Sequence, residues 1–167
     1  EDEGGGEYPN AYFFYLPRMC NHCSEPACVE ACPSGAMFKR EEDGLVLRDE
    51  DICQGAQDCA RACPYKKIYF NASTKASSHC IGCFPRLEQG VAPACVRQCP
   101  GRAAFVGFKD DAGSAVHKLI VKWKVALPLH PEYGTGANVY YVPPLAPPRV
   151  LPTRPRTRWA ATPCCWP

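Results

Sequence analysis

Apolar positions along this chain come in short bursts, none long enough for a helix of several turns. Residues 12–16, Tyr-Phe-Phe-Tyr-Leu, form an aromatic run that predicts a strand. In residues 36–48 two apolar bursts flank five consecutive charges and an Asp43-Gly44 step, which reads as strand, tight turn, strand. Residues 26–31 and 57–62 each run between two cysteines and predict one or two helical turns. Residues 68–70 and 103–108 predict two further short strands. Residues 118–127 interleave Leu119, Ile120, Val121, Trp123 and Val125 with lysines, a pattern that a strand and an amphipathic helix satisfy equally. From Pro143 onward eight of 25 residues are proline, and no acidic residue follows Glu132, so the tail predicts extended or unfolded chain.

Length and charge narrow the field. The chain has 167 residues, enough for one domain with tails. A net charge of +2 argues against a nucleic-acid binder held by electrostatics. No apolar run approaches the 18 or more residues of a membrane span, so no direct span is expected. The first residues are acidic and Gly-rich, with no basic and apolar leader, and predict a linker that carries no export signal of its own.

The chemistry sits in thirteen cysteines, an odd number that a pure disulfide scaffold would leave unbalanced. Eleven fall in three clusters: Cys20-x2-Cys23-x4-Cys28-x3-Cys32-Pro33, Cys53-x5-Cys59-x3-Cys63-Pro64, and Cys80-x2-Cys83-x11-Cys95-x3-Cys99-Pro100. Each closes with a cysteine three residues after the last, followed at once by proline. This is the bacterial ferredoxin signature, in which the closing cysteine ligates the other cluster of a pair. A Cys-x2-Cys loop can wrap two adjacent irons, and one helical turn then carries the chain to a second cubane. Proline turns it away and removes one N–H that would need a partner. Structural zinc uses closed four-ligand sets of paired Cys-x2-Cys, to which neither the x3 closers nor the Cys-Pro steps belong. Thirteen thiols and few apolar runs also predict folding coupled to cluster assembly. The expected class is α+β, a ferredoxin-like bacterial dicluster fold, loop-rich, with an extended C-terminal segment.

Longer stretches carry a resemblance. Phe14-Tyr-Leu-Pro-Arg-Met-Cys-Asn-His-Cys-Ser-Glu-Pro-Ala-Cys, Lys39-Arg-Glu-Glu-Asp-Gly, Cys63-Pro-Tyr-Lys-Lys-Ile-Tyr-Phe-Asn71 and Ala126-Leu-Pro-Leu-His-Pro-Glu-Tyr133 resemble one family. It is the iron–sulfur electron-transfer (beta) subunit of the molybdopterin dimethyl-sulfoxide-reductase superfamily. The likeness is to the branch of nitrate, perchlorate, chlorate and selenate reductases and of dimethyl sulfide and ethylbenzene dehydrogenases. It covers about residues 8–148, and the last 19 residues do not match.

The resemblance implies four cysteine motifs, of which this chain has the last three; the missing one would lie before Glu1. It implies that Cys20, Cys23, Cys28 and Cys63 hold a [4Fe–4S] cluster. Cys32 would cross over to join Cys53 and Cys59. Cys80, Cys83 and Cys95 would hold another [4Fe–4S] cluster lacking its fourth ligand here, and Cys99 would serve a further one whose other ligands are absent. Ala56 stands where a Cys-x2-Cys-x2-Cys motif would place its second thiolate. Three thiolates cannot tie down a fourth iron, which favours a [3Fe–4S] cluster at the high-potential end of the relay. The nitrate reductases have an aromatic residue there, and alanine departs from that.

The implied domains are an acidic linker at 1–11, a ferredoxin-like iron–sulfur domain at 12–110, an extension at 111–148 packing on a partner subunit, and a Pro/Arg-rich, disordered or non-native tail at 149–167. The implied partners are a molybdopterin catalytic (alpha) subunit and a haem b (gamma) subunit or cytochrome, in a membrane-associated complex on the cytoplasmic face or in the periplasm. No catalytic residue is expected. The competing readings are a stand-alone polyferredoxin-type carrier and a zinc-stabilised binding module. His22 and His79, each beside a cysteine, are expected to hydrogen-bond near a cluster rather than ligate it. Lys66 and Lys67 are either cations near a cluster or a solvated pair. His117 and His130 read as structural, and the charges at 39–43 as a solvated turn. Tyr140 and Tyr141 would suit packing along a large subunit. Cys164 and Cys165 receive no ligand role.

Overall fold

The computed structural model describes residues 2–9 and 11–143. Two compact units divide the chain, one holding residues 1–17 and 145–167 and the other residues 18–144. In the first, the aromatic run forms β2 (Tyr12–Tyr15), as predicted. It pairs antiparallel with β1 (Asp2–Gly5), so residues read as linker make a strand. The aromatic strand supplies the β propensity, and a Gly-rich partner can follow any strand backbone.

The second unit mixes short helices with small sheets. Its elements are α1 (Ala27–Glu30), β3 (Met37–Lys39), β4 (Val46–Arg48), α2 (Asp58–Ala62), β5 (Tyr69–Asn71), β6 (Ala76–Ser78), α3 (Phe84–Leu87), α4 (Ala94–Arg97) and α5 (Ala115–His117). After α5 come a π-helical turn (Lys118–Lys122), β7 (Leu127–Pro128), a 3₁₀ turn (Pro131–Tyr133) and β8 (Tyr140–Tyr141). The strands pair as antiparallel ribbons, β3 with β4, β5 with β6 and β7 with β8.

The expected hairpin is β3–β4, with Gly44 at φ +71° in its turn. Asp43 closes that turn by accepting from Leu45 N–H at 3.1 Å and from the Arg40 guanidinium. The helical turns between cysteines are α1 and α2, which pack on each other. Within residues 118–127 the first five form the π-helical turn, in which Trp123 N–H reaches back five residues to Lys118 O at 2.8 Å, and Leu127 begins β7. The strand expected at 103–108 does not form: that segment is irregular and pairs with no strand among the described residues.

The core is small. Met37, Val46, Cys59 and Ile68 form its buried cluster, and Cys28, Val29, Cys32, Ala60 and Cys63 pack against it. Sulfur-bearing residues therefore make up much of the packing between α1, α2 and the β3–β4 hairpin. Tail residues 149–167, with Cys164 and Cys165, lie outside the described residues.

Candidate iron–sulfur sites

The same turn recurs after each Cys-Pro closer. Cys28 and Cys32 bracket one turn of α1, Cys59 and Cys63 one turn of α2, Cys95 and Cys99 one turn of α4. Three residues past each closer the backbone goes left-handed, at Gly35 (φ +68°), Lys66 (φ +53°) and Arg102 (φ +49°). There the N–H returns to the closing cysteine's carbonyl at 3.2, 3.2 and 3.1 Å. In the first two motifs the residues of the Cys-x3-Cys step part company, Cys28 from Cys32 and Cys59 from Cys63.

Two cavities receive them. The first, of about 360 Å³ and partly open, is lined by Cys20, Cys23, Cys28 and Cys63 together with Val46, Tyr65 and Thr135. The second, of about 290 Å³, is lined by Cys32, Cys53 and Cys59 with Ala56, Arg48 and Ser77. The closing cysteines are thus exchanged: Cys32 of the first motif faces the second cavity, and Cys63 of the second motif faces the first. These are the two groupings expected from the sequence. Cys80, Cys83, Cys95 and Cys99 line neither cavity, and Cys80 and Cys95 are exposed. Among the described residues, no three His, Cys, Asp or Glu side chains converge on a point that would suit a single metal ion.

The loops need special backbone. Gly55, two residues past Cys53, has φ +70°, and a Cβ there would run into the Lys75 carbonyl. Gln57, next to Ala56 and before α2, is also left-handed at φ +64°. The loop thus passes the vacated position with alanine against the cavity and no thiol.

The two cavities treat sulfur differently. In the four-cysteine cavity burial pushes the Cys20 thiol up to about 11, despite a hydrogen bond from the His22 backbone. Burial, with the neighbouring thiols, pushes Cys28 up to about 12. In the three-cysteine cavity burial also raises Cys32, but it is outweighed by donors: Met37 N–H at 3.5 Å, the Ser34 hydroxyl at 3.7 Å and the Ser34 and Ala36 backbone. Cys32 ends below its ordinary value. Cys53 does the same, as the backbone N–H groups of Ser77 and Gly55 and the Arg48 guanidinium overcome its burial. Cys59 Sγ meets Ser77 Oγ at 3.4 Å. A bound metal would deprotonate the thiols of either cavity.

His22 and His79 are buried, and their rings meet edge to face at 6.2 Å. Val46 N–H donates to His22 Nδ1 at 3.1 Å, so the neutral ring carries its proton on Nε2. His79 Nδ1 lies 2.7 Å from the Cys80 carbonyl, so there the proton is on Nδ1. Burial holds both below the usual histidine range, His22 at about 4. His117 Nδ1 bonds Lys109 O at 2.7 Å, and His130 pairs with Glu132 and stacks on Tyr133. Lys66 is exposed and caps Arg61 O at 3.1 Å, whereas Lys67 lines the four-cysteine cavity.

Sequence reasoning missed three contributors. Lys39, read as part of a solvated turn, instead donates its Nζ to Cys23 O and Gly44 O, each at 2.8 Å. The strand period of two puts Lys39 on the face of buried Met37, a signal present in the sequence. Arg40 of the same run pairs with Asp43 and Glu88 and covers the Phe84 ring. Arg48 was read only as the hairpin's last residue. The third is residues 135–138, expected to pack on a partner. Ser24 N–H donates to Gly136 O at 2.8 Å, Glu25 N–H to Thr135 O at 3.1 Å and Asn138 N–H to Asn21 O at 3.0 Å. Asn138 Nδ2 adds a bond to His22 O at 2.8 Å, and Thr135 bonds the Tyr65 hydroxyl at 3.0 Å. A Cβ on Gly136 would stand 3.0 Å from Ser24 Cβ, so glycine permits this close approach. No local pattern links segments more than 110 residues apart.

Cysteines exchanged between two cavities define a dicluster protein, and residues 11–109 match the 4Fe-4S dicluster domain family. The chain belongs to that family, and its cofactor class is the [4Fe–4S] cluster. Within it, the chain is similar to the beta subunits of respiratory reductases and related dehydrogenases. It is 64% identical over 150 residues to the perchlorate reductase subunit beta of Dechloromonas aromatica, covering 90% of this chain and 45% of that protein. It is 60% identical to the selenate reductase subunit beta of Thauera selenatis, covering 87% of this chain and 44% of that one. It is 56% identical to the dimethylsulfide dehydrogenase subunit beta of Rhodovulum sulfidophilum, covering 90% and 46%. The chain spans a little under half the length of these relatives. Among the described residues, no helix is long and apolar enough to cross a membrane.

Proposed function

We propose that this chain is an electron-relay segment of a beta subunit, in a ferredoxin-like arrangement, passing single electrons between a molybdopterin catalytic subunit and a haem-bearing or soluble carrier. The complex would be membrane-associated, with its substrate decided on the catalytic chain. The observation that carries this reading is the exchange of Cys32 and Cys63 between two cavities that share one small core. When bound, iron–sulfur clusters supply reversible one-electron chemistry.

Cys20, Cys23, Cys28 and Cys63 would hold a [4Fe–4S] cluster in the four-cysteine cavity. Cys32, Cys53 and Cys59 would hold a [3Fe–4S] cluster beside Ala56. Cys80, Cys83 and Cys95 would hold one more cluster and Cys99 would reach a fourth, each completed by residues outside this chain. Cys80 stands close enough to Cys20 for its charge to add to the rise of that thiol, which supports an adjacent third site. His22 and His79 fix the backbone of their loops through Val46 and Cys80, and residues 135–138 tie down the first loop by backbone hydrogen bonds.

The test uses the full-length subunit, purified anaerobically in its assembly. Iron and acid-labile sulfide should both be present, with an oxidised S = 1/2 EPR signal from the three-cysteine site. Ala56→Cys should abolish that signal by supplying the fourth thiolate. A signal unchanged in the variant, or zinc in place of iron, overturns the reading.

A further inference from the structure

Beyond the cysteines, the three-cysteine cavity has a wall residue that the cluster assignment does not use. Arg48 closes β4, opposite Met37 in the ribbon register, with a side chain only 11% exposed. Its guanidinium spans from surface to cavity. Nη2 donates to Glu50 Oε1 at 2.8 Å, and Glu50 is 82% exposed. Nη1 is buried and meets no acceptor at full hydrogen-bond geometry among the described residues, while the guanidinium faces the Cys53 thiol and lines the cavity with Cys32, Cys53 and Cys59.

A buried cation with an unmade hydrogen bond is costly, and arginine cannot lose its proton to escape the cost. The cavity is where an acceptor for it can lie, and an anionic acceptor there would offset the charge as well. The four-cysteine cavity has no arginine in its wall; Lys39 stands behind it on a carbonyl, and Lys67 lines it. The difference falls on the cavity that has lost a thiolate.

We propose that Arg48 is the counter-cation of the three-cysteine site, its buried Nη1–H donating to anionic sulfur held there and raising the potential at which the site accepts an electron. The proposal rests on the reading of that cavity as a cluster site. In the redox step one electron arrives, from the neighbouring four-cysteine site in the assembly or from a mediator dye in a titration, and no proton or bond is exchanged. The site becomes more negative by one charge. A fixed positive charge in a wall of low polarisability favours that reduced state.

The experiment is an EPR-monitored redox titration of the full-length subunit in its native assembly, comparing wild type, Arg48→Gln and Arg48→Lys. At the wild-type midpoint Arg48→Gln should shift the oxidised-to-reduced ratio of the three-cysteine site at least tenfold toward oxidised, which is 59 mV for one electron. The signal of the four-cysteine site should titrate unchanged. Arg48→Lys keeps the charge and should move the ratio less than threefold. If Arg48→Gln holds no cluster, Arg48→Lys decides: a retained midpoint supports the charge assignment, and a tenfold shift overturns it. An unshifted Arg48→Gln overturns it as well, as does an equal shift of both sites. Absence of any cluster signal in wild type refutes the underlying functional reading instead.

Discussion

Each cavity borrows a cysteine from the other's motif, Cys63 for the larger and Cys32 for the smaller, and the same β3–β4 hairpin walls both. Their handling of negative charge is opposite. The four-cysteine cavity desolvates its thiols, pushing Cys20 to about 11 and Cys28 to about 12. The three-cysteine cavity surrounds Cys32 and Cys53 with N–H and hydroxyl donors that hold them below the ordinary thiol value. Burial that outweighs the donors disfavours added negative charge, and donors that outweigh burial favour it. The two walls thus present opposite electrostatic settings on one scaffold, and with clusters bound as proposed that difference would separate their potentials.

The largest expected effect tests the exchange itself. Cys32→Ala should remove or alter the signal of the three-cysteine site and leave the other intact, and Cys63→Ala should do the reverse, both read by EPR. If Cys32→Ala strikes the four-cysteine site, the two cavities are not distinct sites and the comparison collapses.

A smaller effect should follow at Lys39. Its ammonium holds the Cys23 and Gly44 carbonyls from behind the loop instead of lining the cavity. Lys39→Gln should cost about 1–2 kcal/mol of stability in denaturant titration. It should lower the potential of the four-cysteine site by less than Arg48→Gln lowers that of its neighbour. An equal or larger drop would mean that distance to the cavity is not what separates the two cations.

The smallest effect belongs to Asp43, at the tip of the hairpin that serves both cavities. Burial alone would raise its carboxyl, but hydrogen bonds from Arg40 and Leu45 N–H win and hold it below the usual carboxylate range. A depressed folded value means that the contribution is present above the unfolded pKa and lost as pH falls through the folded one. Asp43→Asn should therefore cost about 1 kcal/mol at neutral pH, with the gap to wild type closing in acid. Both cluster midpoints should stay in place, since the tip touches neither wall.

How much of this was legible in the chain differs by kind of signal. Cysteine spacing announced both cavities, because a one-turn Cys-x3-Cys step and a following proline have few other uses. The hairpin was legible for the same local reason: Asp43-Gly44 specifies its own turn. The strand predicted at 103–108 failed because a β-rich run needs a partner, and none lies beside it. The π-helical turn at Lys118–Lys122 could not be typed, since its apolar pattern fitted two periods equally. The strand β1 escaped notice because glycine carries no propensity signal of its own.

Covalent spacing along the backbone thus fixed which sulfurs travel together, as a thiol three residues from another cannot sit far from it. Which walls those sulfurs meet was decided only in three dimensions. Arg48 reaches the cavity of Cys53 because a strand alternates its faces and the ribbon turns back on itself. Residues 135–138 hold the first loop by three backbone bonds and the Asn138 side chain, a pairing that no local pattern in either segment foretells. Hydrogen bonding and electrostatics act through space, so the chemistry of each site was written locally and its tuning globally.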